Sequence, residues 1–232
     1  MTALASPILG RILGSRWTKL LVFLACSLPF LFLLWPFWKY VTTGLALELG
    51  GNPIEYITHY TGDWVIRFLL ISLAVTPARK ILNQPKLARY RRMLGLFAFF
   101  YLCLHFLTWF ALDKTFSFSD MWADIVKRRF ITMGMLGLAL LIPLAVTSTA
   151  GWVRRLGFVQ WQRLHRMVYF ATLAGVIHYM WLVKSDERLP ITYGAILTLL
   201  MLYRFFTRQK PAPATAQKRP VTTPRTASLP DS

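Results

Sequence analysis

Six apolar runs dominate this chain of 232 residues, at about 20–38, 62–77, 93–112, 130–148, 167–183 and 190–206. A hydrocarbon core roughly 30 Å thick needs about 17 to 25 apolar residues per helical crossing. The second run is the shortest candidate. The overall composition agrees, because 56% of residues are hydrophobic and 15% aromatic. The sequence therefore predicts an all-α membrane protein, a six-span helical bundle.

Charge placement was not used to draw the spans, so it tests them. With the N-terminus cytoplasmic, the inner segments carry 19 of the 27 basic residues and one acid, Asp231, a net charge of +18. The outer segments carry eight residues of each sign. This asymmetry follows the positive-inside rule and puts both termini in the cytoplasm. It also accounts for the basic excess without nucleic acid, which the chain is not expected to bind.

The ends and loops limit what the chain can do. Residues 1–19 read as a cytoplasmic N-terminus, 20–206 as the membrane domain, and 207–232, rich in Pro, Thr and Ala, as a disordered basic cytoplasmic tail. The first apolar run is longer than a signal-peptide core and no A-x-A-like site follows it, so it reads as a retained span. No loop exceeds about two dozen residues, and neither G-x-G-x-x-G nor G-x-x-x-x-G-K-[ST] occurs. A nucleotide-binding domain has no place here. The outer segment LALELGGNPIEYITHYTGDW is expected to lie along the outer interface, with Asn52-Pro53 as a turn or helix start and His59 as a surface residue. Cys26 and Cys103 both fall inside apolar runs and are expected to be free. No internal repeat is visible.

Three of the four histidines lie on two spans that run in the same direction. His105 stands 13 residues beyond Arg92, and His178 stands 12 beyond Arg166. At about 1.5 Å per residue, these are depths of roughly 20 and 18 Å. Two imidazoles at one level on parallel helices can grip a haem iron from both faces, and a bundle core supplies an apolar slot. Aromatic residues near it, Phe97, Phe99, Phe100, Tyr101, Trp109, Tyr169, Phe170 and Trp181, are candidate walls. The plainer reading is hydrogen bonding between helices. His165 sits at the inner mouth, in RLHR, and the positions opposite it hold Arg91 and Arg92 rather than a histidine. A second haem lacks a partner there. The alternative is a flavin, its phosphate held by Arg91 and Arg92 with His165 near the ring.

The segments YITHYTGDW, AVTPARK, RRMLGLFAFFYLCLH, TSTAGWVRRLG and WQRLHRMVYFATLAGVIHYMWLVKSD, in this order and spacing, resemble the ferric-reductase-like transmembrane domains. Within that family they are similar to the haem-binding membrane subunits of periplasmic methionine sulfoxide reductase systems. The resemblance spans about residues 15–208. It implies a haem b protein of the bacterial inner membrane, with His105 and His178 as the axial pair, His165 as a further histidine, and FMN as a second cofactor. It also implies a periplasmic molybdopterin-containing reductase subunit that repairs methionine sulfoxide in proteins. The chain would then be an electron-transfer subunit, with catalysis in its partner and electrons from the quinone pool or a cytoplasmic flavin reductase. Alternatives are a two-haem cytochrome b subunit of another dehydrogenase or ferric reductase, and a transporter or scaffold with structural histidines. A proton-relaying transporter would need carboxylates within the spans, where none is expected.

Overall fold

The computed structural model describes residues 7–44, 49–183 and 186–207. All regular structure among them is helical: α1 (Pro7–Gly14), α2 (Arg16–Thr43), α3 (Pro53–Ile81), α4 (Ala88–Leu107), α5 (Phe118–Lys127), α6 (Arg129–Val146), α7 (Ala150–Leu156), α8 (Phe158–His165), α9 (Met167–Leu182) and α10 (Arg188–Phe206). A 3-10 turn, Pro85–Leu87, precedes α4, and a π turn, Thr108–Asp113, continues it. Each of the six apolar runs coincides with one long helix. The tail from residue 208 lies outside the described residues.

Four segments, Arg16–Thr43, Pro85–Asp113, Arg129–Val146 and Arg188–Phe206, are long and apolar enough to cross a membrane. The chain is a membrane protein. Of the other two helices, α3 has the length, with 29 residues, but carries Asp63 and Arg67, whereas α9 has 16 residues and follows α8 through Arg166. The expectation that the spans contain no acid fails at Asp63. This carboxylate lies within α3 and is paired with Arg67 at 3.3 Å. Arg67 in turn donates to the Tyr193 hydroxyl at 2.9 Å.

The interior consists of two helix pairs, α3 against α4 and α6 against α9, with α10 leaning on α3 and α9. Leu69, Leu94, Ala98, Tyr101, Leu141 and Ala171 form the main core. α2 joins this core through Cys26, with Val22 and Phe30 packed against it, and presents Trp17, Phe32, Trp35 and Trp38 outward, as a lipid-facing helix does. It is fastened at its weakest turn. Pro29 interrupts its hydrogen bonding. Next to the link that Pro29 removes, the Tyr101 hydroxyl accepts from Phe30 N at 2.9 Å and donates to the Cys26 carbonyl at 3.0 Å, bridging the helical pair one residue along.

The outer segment differs from its expected course along the interface. Asn52 caps α3, its side chain accepting from Glu55 N, and Pro53 occupies the first turn. From there α3 runs unbroken to Ile81. Residues 54–64 are therefore the outer turns of a core helix, because this cap starts it earlier than hydropathy indicates.

Candidate haem site between two helix pairs

His105 on α4 and His178 on α9 meet beside the N-terminal half of α3. Their ring centroids are 6.0 Å apart and their planes nearly perpendicular, at 87°. Each ring is tethered through Nδ1, His105 to the Thr58 carbonyl at 2.8 Å and His178 to the Phe130 carbonyl at 2.6 Å. A carbonyl only accepts, so Nδ1 carries the proton in both rings. That leaves each Nε2 with a free lone pair, the arrangement by which proteins orient metal-binding imidazoles.

The helix facing each histidine also supplies a glycine. A Cβ at Gly62 would lie 3.0 Å from His105 Nδ1 and Cε1, and one at Gly134 would lie 2.9 Å from His178 Nδ1. Any larger residue would displace the ring. In each pair the accepting carbonyl stands four residues before the glycine, Thr58 with Gly62 and Phe130 with Gly134. The bundle therefore repeats one local device twice, a repetition not visible in the sequence, where the flanking residues differ.

The two rings border a cavity of about 450 Å³, within the range of roughly 300–1,000 Å³ usual for cofactor pockets. Metal–imidazole bonds are about 2.0–2.1 Å, so two rings on opposite sides of one ion have centroids roughly 6 Å apart. The observed separation fits, and so do the tethered Nδ1 atoms and the glycine cradles. Of the expected aromatic walls only Trp109, in the π turn, reaches the cavity. Phe97 and Tyr101 belong to the core, and Phe100, Phe170 and Trp181 face outward. The walls are instead a mixture of aliphatic and small residues, including Leu69, Leu102, Leu138, Leu141 and Ala171, with three other aromatics, Phe106, Phe130 and Tyr179. His59 is exposed, as expected, yet it lines the cavity rim.

The sequence reasoning missed Thr58, Gly62, Phe130 and Gly134. Thr58, Gly62, Ile66 and Leu69 follow one another at helical spacing, and so do Gly134, Leu138 and Leu141. That periodicity was the available signal, once α3 is started at Asn52.

His165 stands apart, at the inner end of the bundle. Its Nε2 lies 3.1 Å from Thr147 Oγ1, whose own hydroxyl donates to the Pro143 carbonyl at 2.6 Å, so His165 is the donor. Its ring lies 4.0 Å from that of Trp161, whose indole N–H donates to the Thr147 carbonyl. Burial, and after it the nearby Arg91 guanidinium, holds the His165 pKa down at about 4. Arg91 therefore lies near His165. Arg92 is exposed.

Comparison with known proteins agrees with this geometry. Residues 61–176 match the ferric reductase like transmembrane component family. The matched segment includes Gly62, His105, Gly134 and His165, and ends two residues before His178. A protein of Caulobacter vibrioides named protein-methionine-sulfoxide reductase heme-binding subunit MsrQ is 51% identical over 192 residues, 83% of this chain and 88% of that protein. The chain belongs to the MsrQ family. MsrQ proteins of Rhodospirillum rubrum and Herminiimonas arsenicoxydans are 50% and 49% identical over 82% and 78% of the chain.

Proposed function

We propose that this protein is the haem b-carrying membrane subunit of a protein-methionine-sulfoxide reductase system. In this reading His105 and His178 are the axial ligands. The observation that carries it is the doubled device around them: two imidazoles 6.0 Å apart, each tethered through Nδ1 to a carbonyl and cradled against a glycine. The MsrQ relatives, named as heme-binding subunits, support it.

Haem supplies reversible one-electron chemistry. The chain's residues hold and insulate it. The carbonyls of Thr58 and Phe130 fix the imidazole tautomers and limit ring rotation. The aliphatic walls keep water from the ligands and lower the local dielectric. Four apolar helices are seen by length and composition, and with α3 and α9 we count six spans, both termini cytoplasmic, in the bacterial inner membrane. Electrons would enter from the quinone pool or a cytoplasmic flavin reductase. They would leave to a periplasmic molybdopterin-containing subunit, where methionine sulfoxide is reduced. The inner cluster of Arg91 and His165 is the place we assign to the phosphate and ring of FMN; Arg92, being exposed, contributes at most through its charge.

The test is the dithionite-reduced minus oxidised spectrum of the purified protein with its haem-to-protein ratio. A low-spin b-type spectrum near one haem per chain is expected, lost in His105→Ala and in His178→Ala. Wild-type spectra in either variant refute the ligand pair. A ratio near two would put a second haem at the inner end.

A further inference from the structure

The charged and amide side chains of the cavity lie at its exposed rim: Asn52, Glu55, His59, Asp113 and Arg128 are exposed and Asp63 is half-buried, whereas the remaining lining, from Leu69 and Leu141 to Phe106 and Phe130, is largely apolar. A flat ligand with an apolar body and two carboxylates fits such a slot in one orientation. A carboxylate pushed among leucines has no donor, and burying it unpaired is strongly unfavourable.

The rim's charges then decide where the carboxylates rest. Asp63 is paired with Arg67. Asp113 is paired with Lys114 at 3.0 Å, and Lys114 also binds Asp124 at 2.6 Å. The hydrogen bond that Lys114 donates to Asp124 leads the contacts that hold its ammonium above its ordinary pKa. Glu55 accepts from the Asn52 amide at 3.0 Å and has no cation among the described residues. Arg128 is the cation of the rim with capacity to spare. Its ion pair is a 3.4 Å contact from Nε to Asp124, a carboxylate that Lys114 already holds more closely. Its side chain is 54% exposed, and among the described residues its two terminal nitrogens make no hydrogen bond or ion pair. A guanidinium fork is matched to a carboxylate.

The position is also well anchored. The Arg128 carbonyl accepts from Ile131 N at 2.9 Å and Thr132 N at 3.3 Å, opening α6. Two residues further on, Phe130 tethers His178.

We propose that Arg128 binds the carboxylate edge of the haem at the outer rim, so that the macrocycle enters apolar edge first and its carboxylates face the outer side. The inference rests on the haem reading above and adds an orientation and an anchoring residue to it.

The experiment compares release rates into excess apomyoglobin from the wild type, Arg128→Lys and Arg128→Ala, each loaded with protohaem or with protohaem dimethyl ester. A hydrogen bond to a charged group contributes about 1.5–3 kcal/mol, and at this half-exposed site the lower end applies, roughly a tenfold effect. Arg128→Ala should therefore release protohaem about tenfold faster, with Arg128→Lys in between and the low-spin spectrum unchanged. With the dimethyl ester, which has no charged carboxylate, wild type and Arg128→Ala should release at equal rates. Unchanged protohaem release in Arg128→Ala overturns the proposal, as does equal acceleration for both ligands, which would mean that Arg128 acts on the fold. A wild-type protein without haem would remove the haem reading itself, and that is seen before any variant is compared.

Discussion

Replacing Gly134 by alanine separates a haem cradle from a mere helix-packing site, because the two readings predict opposite signs. In an ordinary helix interior alanine is favoured over glycine by about 0.8–1.0 kcal/mol. Here the added Cβ would fall 2.9 Å from His178 Nδ1 and 3.1 Å from Cε1. Ordinary contacts are about 3.5–4.0 Å, so the ring has to retreat by roughly 0.5–1 Å. Its tether to Phe130 O is 2.6 Å long. The same shift stretches it towards or beyond the usual hydrogen-bond limit of about 3.2 Å. Overpacking of this kind costs roughly 1–3 kcal/mol, or about a 5- to 150-fold loss of haem affinity if it falls on ligation. Gly62→Ala should act alike on His105, where the added Cβ meets the ring at 3.0 Å. Gly95→Ala, on α4 and away from the cavity lining, is the control, since its Cβ would meet nothing nearer than the Ser72 hydroxyl at 3.9 Å. The assay is haem content, the spin state from the absorption spectrum, and thermal unfolding in detergent. If Gly62→Ala and Gly134→Ala both retain wild-type haem and spectrum and unfold at a higher temperature, as Gly95→Ala should, the cradle argument is refuted.

Two other outcomes follow from particular contacts. Tyr101→Phe removes the hydroxyl bridging Phe30 N and Cys26 O; with both groups left unsatisfied beside Pro29, a loss of about 1–3 kcal/mol is expected, read as lower thermal stability and faster amide exchange around residue 30. His165, with its pKa held at about 4 against an unfolded value near 6.5, binds its proton less readily when folded. Its contribution is therefore fully present above about pH 6.5 and lost as the pH falls towards 4. His165→Gln should flatten that acid limb in a plot of unfolding temperature against pH, and an unchanged slope would show that other groups cause it.

The six helices and the common depth of His105 and His178 could be read from sequence, because both depend on one-dimensional quantities. Apolar length sets a span, and a constant rise per residue converts a count from Arg92 or Arg166 into depth. The proximity of Arg91 to His165 was legible in the same way. Azimuth was not. Whether Tyr101 faces the cofactor or locks α2, and whether His105 meets Thr58 O or lipid, depends on how each helix is rotated about its axis. That rotation is fixed by packing between α3 and α4 and between α6 and α9, where the two histidine tethers join residues 47 and 48 positions apart. The aromatic walls expected from proximity in sequence were displaced for this reason by leucines and small residues from the facing helices. Asp63 and Gly62 show the same division. In sequence they are one acid and one flexible residue near the end of an apolar run; only the neighbours brought by the fold, Arg67 with Tyr193 and the His105 ring, make one tolerable and the other necessary.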